Sequence, residues 1–274
     1  MERLKNITIG SDIEVFVENN GNLIPASILT KGRKDKPVFF KLNGNKISLH
    51  NDNVSLEFAI PPTKSKKEFI EYIINSKDYI EDIIKKNCSN NNLLFDSSIE
   101  ITEEILINDI YASEFGCSPD MIVEMNFNQL NKHYMNLQWN RHESLIRTTG
   151  FHIHLGYDNP DEKTNLELVK MFEKHVTNSF INDDIDPFDR RSLYGEIGSF
   201  RHKPYGVEFR SLGGSLMRNS RLIEDVYDCI MMMITLFNNG ERCSKNEYLK
   251  IKENINNFKK ESKCVEYLVG LENQ

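Results

Sequence analysis

Ionisable residues occur in pairs at a spacing of two at three places along the chain. These pairs, with a single glutamate in a similar setting, are Asp12 and Glu14, His152 and His154, Glu208 and Arg210, and Glu57. Each pair lies in a run typical of a strand, so its two side chains project from one face of a sheet while the residue between them faces the core. Carboxylate oxygens suit Mg²⁺ or Mn²⁺, and arginine suits phosphate or carboxylate groups. The pattern predicts nucleotide chemistry, as in an ATP-using enzyme.

Each pair by itself also has an ordinary structural explanation. Asp12 and Glu14 would suit the solvated face of an edge strand. The histidine pair would suit hydrogen-bonded imidazoles, or ligands of zinc or copper as well as magnesium. Glu208 and Arg210 would suit a surface ion pair. Their occurrence together in one chain favours a functional site.

Composition indicates a globular chain without a general electrostatic attraction for nucleic acids. The 274 residues are 39% hydrophobic, which is enough for one large domain. We predict a single catalytic domain over residues 1–274, with a helical C-terminal part from residue 220 onward. The formal charge is −7 and no long lysine or arginine block occurs, so we expect no nucleic-acid partner.

Cysteine usage and hydropathy predict a protein of the cytoplasm. The five cysteines are odd in number and form no Cys-x-x-Cys pair, which favours a reducing compartment. No apolar segment precedes the first predicted strand, so we expect no secretory signal. The longest apolar stretch, Cys229 to Phe237, is far shorter than the roughly 20 residues of a membrane helix, so we expect no membrane partner.

Hydrophobic periodicity predicts an α+β fold with a largely antiparallel sheet, because strands and helices do not alternate regularly enough for a doubly wound parallel sheet. The predicted strands are Ile7 to Val17, further segments between Val38 and Ile60, Thr148 to Tyr157, and Val207 to Leu212. A hairpin turn is predicted at Asn19 to Asn22, and the strand before Pro61 is expected to stop there. Four helices are predicted. The first begins at a capping box of Ser65 and Glu68 and ends near Asn87, and the second covers Asn165 to Phe180. The third contains the apolar series from Leu222 to Phe237, and the fourth covers residues 245–270.

Several common catalytic motifs are absent from the sequence. It has no Gly-x-x-x-x-Gly-Lys-Ser/Thr loop and no Gly-x-Gly-x-x-Gly turn, which disfavours Walker-type and Rossmann nucleotide sites. It also has no Gly-x-Ser-x-Gly, and no cysteine adjoins a candidate histidine. A hydrolase that uses a serine or cysteine nucleophile therefore has little support.

Six segments form an ordered set of motifs. They are Gly10–Phe16, Asn51–Pro62, Phe115–Asp120, Thr149–Gly156, Arg190–Gly195 and Gly198–Leu212. This set resembles the carboxylate-amine ligases of the glutamine synthetase and glutamate-cysteine ligase superfamily, in particular the phage and bacterial amidoligases termed COOH-NH2 ligases. The segments span residues 10–212, about three quarters of the chain.

The resemblance implies a fold like the glutamine synthetase catalytic domain, with a curved, mostly antiparallel sheet, helices packed behind it and a nucleotide across its concave face. One Mg²⁺ or Mn²⁺ ion would be shared by Asp12, His152 and Glu208, and another would be held by Glu14 and Glu57. Asp12 departs from the larger synthetases, which carry glutamate at this point.

The resemblance also assigns the nucleotide and the chemistry to particular side chains. The residues that would bind ATP are His154, which would face the phosphates, and Arg190, Arg191 and Arg201. The catalytic candidates are Arg201, Glu208 and Arg210. The arginines among them would stabilise the transferred phosphoryl group or the substrate carboxylate.

By this resemblance the chain is predicted to be an ATP- and Mg²⁺-dependent ligase that forms an amide or peptide-like bond through an acyl phosphate. Its partners would be a carboxylate and an amine, each a small molecule, a peptide or a protein tail, and homo-oligomers are common among such synthetases. The setting would be the cytoplasm of a bacterium or a phage-infected host cell.

Three alternative functions and one catalytic role stay open. The chain would also suit a phosphotransferase of related fold, a zinc hydrolase that uses His152 and His154 without ATP, or a binding module that retains the fold. Within a ligase, a base must take a proton from the amine. Glu196 and Asp186 are both candidates for that base.

Overall fold

The fold is organised around one large antiparallel sheet. The computed structural model describes residues 3–113, 120–126, 128–130, 132–133, 135, 144–186, 188 and 190–257. The strands in these residues are β1 (Thr8–Asn19), β2 (Asn22–Leu23), β3 (Val38–Leu42), β4 (Asn45–Asp52), β5 (Ser55–Thr63), β6 (Asn91–Leu94), β7 (Ser98–Glu100), β8 (Met121–Ile122), β9 (Ile146–Thr148), β10 (Phe151–Gly156), β11 (Ser199–Lys203) and β12 (Gly206–Phe209). Ten of these strands form one sheet, and β7 pairs with β9 in a separate ribbon.

The main path of the large sheet runs β3-β4-β5-β1-β10-β12-β11-β8, and β2 and β6 pair with the far end of β1. Every strand pair in this path is antiparallel, which confirms the predicted sheet type. The long strand β1 lies between β5 and β10, so residues distant in the sequence meet beside it. The curvature of the sheet and its likeness to the glutamine synthetase catalytic domain stay predictions.

Two strand boundaries differ from those predicted. The strand expected to stop at Pro61 continues through both prolines to Thr63. The pairing of β1 with β5 shifts register between Ile9 and Ser11, opposite the prolines, and such an irregularity accommodates residues that cannot donate to the ladder. The strand expected over Val207 to Leu212 ends at Phe209, although the Arg210 amide still donates to the Ser199 carbonyl.

The helices are α1 (Ala26–Leu29), α2 (Lys66–Asn87), α3 (Glu103–Asn108), α4 (Glu162–His175), α5 (Ser220–Asn238) and a segment over residues 245–257, named α6. The Ser65 side chain accepts from the Glu68 amide, which confirms the predicted start of α2. The helix predicted over Asn165 to Phe180 begins earlier, because the Asp161 side chain caps it by accepting from the Thr164 amide. Its last predicted turn is a separate 3₁₀ helix, Thr177–Phe180.

Two predicted segments extend beyond the described part of the chain. Residues 245–257 are helical, as expected, and residues 258–270 of the predicted last helix lie outside the described residues. Residues 115–119 of the predicted Phe115–Asp120 loop also lie outside them. Among the residues that the structure describes, no helix combines the length and apolarity needed to cross a bilayer.

The core lies between one face of the sheet and three helices, α2, α4 and α5. Alternate residues of the central strands supply it, such as Ile13 of β1 and Ile153 of β10, which are fully buried. Phe172 of α4 stacks on Phe209 of β12 with ring centroids 4.1 Å apart. Because every second side chain faces the helices, the intervening side chains are gathered on the opposite face.

Candidate active site

The ionisable pairs predicted from their spacing lie together on the sheet face that is turned away from the helices. Among the residues that the structure describes, two groups of potential metal ligands occur on this face, each with its ligand atoms within 4.8 Å of one another. The first group is Asp12, His154 and Glu208. The second group is Glu14, Asp52 and Glu57. Alternate residues of β1 contribute to both groups, which therefore lie side by side.

The first group is already surrounded by cationic side chains. His154 Nε2 lies 3.0 Å from Asp12 Oδ2. Glu208 is fully buried and contacts the guanidinium of Arg210 and Lys203 Nζ, the latter at 2.7 Å. Burial raises the pKa of Asp12. The hydrogen bond and charge of His154, with the charges of Lys203 and Arg210, together lower this pKa by more than burial raises it, so the pKa of Asp12 is below its usual value.

The second group has fewer cations to offset its charge. Glu14 and Glu57 are buried. Among the described residues, Lys34 Nζ lies 3.2 Å from Asp52 Oδ2 and His50 Nε2 lies 3.2 Å from Glu57 Oε2. Burial raises the pKa of Glu14 well above its usual value, and the charges of Asp52 and Glu57 raise it further. Three close carboxylates in such a site suit a hard divalent cation, which would remove the repulsion.

His152 occupies a different position from the one predicted. It was expected to share a metal with Asp12 and Glu208, but the structure places His154 in that group. His152 Nε2 instead shares a hydrogen bond with the Tyr194 hydroxyl at 3.0 Å. The ring also lies between two carboxylates, with Nε2 4.0 Å from Glu14 Oε1 and Nδ1 4.0 Å from Glu208 Oε1.

A glycine explains the position of the His152 ring. A Cβ atom built on Gly150, two residues earlier on the same strand face, would lie 2.3 Å from His152 Nε2, so the ring occupies space that only glycine leaves open. Burial, with the nearby charges of Arg210 and His154, lowers the pKa of His152 well below its usual value. The imidazole is therefore neutral near neutral pH.

Asp52 and His50 are site residues that the sequence interpretation missed. They precede the β4–β5 turn, and the β4–β5 register pairs His50 with Glu57. The signal was present, because His50-Asn51-Asp52 has the same spacing of two as the other pairs. Only the pairing of β4 with β5 brings them beside β1.

A shared carboxylate joins the two predicted catalytic arginines. Asp120 Oδ1 lies 3.1 Å from Arg201 Nη2 and 3.0 Å from Arg210 Nε. Arg210 also contacts the Tyr194 hydroxyl. Asp120 is the last residue of the Phe115–Asp120 motif, and its position identifies this residue as a support for both guanidinium groups.

A protein-family model described as Phage phiEco32-like COOH.NH2 ligase-type 2 matches residues 129–265, half of the chain. The chain belongs to this family. The name of the family denotes ligases that join a carboxyl group to an amine, and the match confirms the resemblance found in the sequence motifs. No curated protein matches the chain.

The segment matched by the COOH-NH2 ligase family carries one side of the site. It includes both histidines of β10, Arg201 of β11, Glu208 of β12 and Arg210, which directly follows β12. The acidic residues of β1, β4 and β5 precede it in the sequence. Pairing of β1 with β10 joins the two parts, since Asp12 lies opposite His152 in the register.

Two further arginines of this family member are engaged in the protein interior. Arg191 Nη2 lies 2.8 Å from Asp184 Oδ2 in a buried ion pair, so a partner already offsets its charge. Arg190 is fully buried and donates from Nη2 to the Ser211 carbonyl. Within the described residues Nε and Nη1 make no hydrogen bond in either arginine, so these donors do not distinguish Arg190 from Arg191 as an anion-binding candidate.

Both candidate bases have other partners. Asp186 accepts hydrogen bonds from the Ser98 hydroxyl at 2.5 Å and from the Arg190 amide at 2.7 Å. Glu196 lies 2.7 Å from Lys252 Nζ and 3.0 Å from His133 Nε2. Both candidate carboxylates are therefore already engaged by groups of the protein, and the identity of the base stays a prediction.

Proposed function

We propose that this chain is an ATP- and Mg²⁺-dependent carboxylate-amine ligase that works through an acyl phosphate. The observation that carries the proposal is the position of the second group of buried carboxylates directly beside the arginines and the first group. A site with an excess of carboxylates next to guanidinium groups suits a metal-bound polyphosphate. Family membership supports the ligation of a carboxylate with an amine.

The reaction needs phosphoryl transfer because a carboxylate is a poor acyl donor. A carboxylate oxygen of the substrate attacks the γ-phosphorus of ATP, the bond to the β-phosphate oxygen breaks, and ADP leaves with the electron pair. The deprotonated amine then attacks the acyl carbon, and the carbon–oxygen bond breaks to release inorganic phosphate. The amide product is lighter than its two substrates by one water.

The residues of the two groups fit the divalent cations that this chemistry uses. Asp12, His154 and Glu208 would hold one Mg²⁺ ion, and the second group would hold another. When bound, Mg²⁺ withdraws charge from the phosphate oxygens. Arg201 and Arg210 would bind the oxygens of the transferred phosphoryl group, in the orientation that Asp120 maintains.

The two histidines do not favour the zinc-hydrolase alternative. Among the described residues no group of potential ligands contains both of them, since His154 belongs to the first group and His152 bonds to Tyr194. A zinc enzyme would retain zinc tightly and act without ATP. A phosphotransferase would release ADP and leave its phosphoryl group on the substrate.

The test compares Glu208→Gln with Glu71→Gln, a control on α2 on the other side of the sheet. ADP and phosphate release is measured with Mg²⁺ or Mn²⁺ and pooled carboxylates and amines, and the products are weighed by mass spectrometry. We expect turnover that requires two substrates in the wild type and the control, and none in Glu208→Gln. Unchanged turnover in Glu208→Gln would reject the site, and no stimulation by any pool would reject the ligase.

A further inference from the structure

A cavity of about 330 Å³ opens beside the second group of carboxylates. Three parts of the chain form it: the loop with Arg33, Lys34 and Asp35, the β4–β5 turn with Asp52, and the 3₁₀ helix with Tyr111. Asp52 belongs both to this cavity and to the second group. A molecule in the cavity would therefore lie next to the proposed phosphoryl-transfer site.

The loop that bears the charged residues is fixed to the sheet. The Asn51 amide donates to the Gly32 carbonyl at 3.0 Å, and Arg33 and Lys36 exchange backbone hydrogen bonds. A Cβ atom on Gly32 would lie 2.3 Å from the Leu49 carbonyl oxygen, so the loop packs directly on β4. The backbone that carries Arg33 and Lys34 is thus held in place.

The cationic and anionic groups of the cavity lie at different depths. The side chains of Arg33 and Lys34 are 54% and 49% exposed, whereas that of Asp52 is only 12% exposed. The Arg33 guanidinium lies over the Tyr111 ring, 5.1 Å from its centroid, which orients its donors at the mouth. Arg33 Nε also lies 3.8 Å from Asp35 Oδ1, and Lys34 Nζ reaches Asp52, so the cavity has one ion pair at its entrance and another at its base.

At the base of the cavity Asp52 is already paired with Lys34, so the ammonium group of a ligand would take the place of the Lys34 ammonium. Lys34 Nζ, a primary ammonium group, lies 3.2 Å from Asp52 Oδ2. A ligand that carries a carboxylate at one end and an ammonium at the other would match both ends of the cavity. A polyamine would place a second positive charge beside Arg33.

We propose that the cavity binds the amine substrate as a small zwitterion of the amino-acid class, with its carboxylate on Arg33 and its amino group directed at Asp52. The substrate role rests on the ligase function proposed above. The amino nitrogen would lie at the edge of the second group, where it can reach an acyl phosphate. Polyamines and protein tails are then the wrong substrates for this chain.

The test compares amino acids with the matching amines that lack the α-carboxylate. ADP release is measured on the full chain with Mg²⁺, ATP and a pool of carboxylates, and each amine pool is added in turn. We expect stimulation by the amino acids and little by the decarboxylated amines. Equal stimulation by both pools would overturn the proposal while leaving the ligase function intact.

Arg33→Gln tests the cavity directly, and Lys36→Gln, an exposed cation of the same loop, is its matched control. We expect Arg33→Gln to raise KM for the amino acid about tenfold or more, the size expected for a charge-assisted pair, and to abolish the preference over the decarboxylated amine. The control should keep both the KM and the preference. An unchanged preference in Arg33→Gln would overturn the proposal.

Saturation-transfer NMR with the same amino-acid pool separates this proposal from the ligase function. If the wild type gives a saturation-transfer signal that disappears in Arg33→Gln, and no condensation product forms with the wild type, the cavity binds a zwitterion and only the ligase function is rejected. Condensation without an Arg33-dependent transfer signal would reject only the cavity. No transfer and no condensation would reject both.

Discussion

His154 contacts Asp12 with 3.0 Å between Nε2 and Oδ2, although the β1–β10 register pairs Asp12 with His152 and pairs His154 with Gly10. The His154 ring extends across β1 toward Asp12, and a Cβ atom on Gly10 would meet the His154 Cβ at an ordinary distance of 3.7 Å, so this position does not require glycine. His152 extends instead over Gly150. The two histidines of β10 thus take different positions, and that of His152 depends on Gly150.

The first prediction concerns Gly150→Ala. The added Cβ would lie 2.3 Å from His152 Nε2 and would displace the ring from Tyr194, so we expect ADP release to fall about 10- to 100-fold while the fold is retained. Gly10→Ala is the matched control, because its Cβ would meet its neighbours at ordinary distances of 3.6–3.7 Å. Steady-state rates and thermal melts check both variants, and equal rates for the two would contradict the role of Gly150.

The second prediction concerns the pH dependence of Mn²⁺ binding. Burial and the neighbouring carboxylates raise the pKa of Glu14, and burial, with the charge of Asp52, raises the pKa of Glu57. Both groups therefore keep their protons at pH values above their usual pKa, and a cation that binds them must displace those protons. Affinity should therefore increase as pH rises from acid toward neutral values, with proton release on binding.

Calorimetry in buffers of different ionisation enthalpy measures the protons released on Mn²⁺ binding. Glu14→Gln should bind more weakly and with a smaller pH dependence than the wild type. Glu100→Gln, an exposed site on β7, should match the wild type. An affinity that does not change with pH would show that the second group is not the cation site.

The third prediction concerns Glu173, a fully buried acid of α4 that accepts from the Gly198 amide at 3.0 Å. Burial raises its pKa above the usual value. Protonated Glu173 therefore makes its full contribution to the free energy of unfolding below its unfolded-state pKa, and this contribution is lost as pH rises through its folded-state pKa. Glutamine keeps an acceptor oxygen but does not ionise, so Glu173→Gln should gain stability relative to the wild type as pH rises.

Urea unfolding at several pH values checks the Glu173 prediction. The difference in unfolding free energy between Glu173→Gln and the wild type should move in favour of the variant with increasing pH. Glu100→Gln serves again as the exposed control and should show no such trend. Parallel pH profiles for the wild type and Glu173→Gln would mean that the pKa of Glu173 is the same in the folded and unfolded states, which would contradict the prediction.

The fourth prediction concerns the contact that joins α4 to the sheet. Phe172 stacks on Phe209, and both rings are buried, so Phe172→Ala should lower the free energy of unfolding by about 3–5 kcal/mol. Phe39 of the edge strand β3 is 59% exposed, and Phe39→Ala should cost below about 1 kcal/mol. Chemical denaturation measures both, and similar losses would show that α4 does not depend on the stacked pair.

The sequence alone determined which residues face the site and which face the core. The spacing of two in Asp12 and Glu14 is sufficient for this, because alternation of side chains is a local property of any strand. The buried faces of α2 and α5 followed from helical periodicity for the same reason, as Ile80 and Ile230 show. The family was also recognisable from the sequence, since its motifs are short and local.

Only the tertiary structure decided which of these residues belong together. Asp52 joins Glu14 because β4, β5 and β1 are neighbours in the sheet, and strand order is a long-range property that periodicity does not encode. His154 rather than His152 contacts Asp12, and the His152 ring occupies the space that Gly150 leaves, because ring positions depend on packing in the folded chain. The sheet face on which each charged residue lies could therefore be predicted from the sequence, whereas the partner of each charge depended on contacts between distant segments.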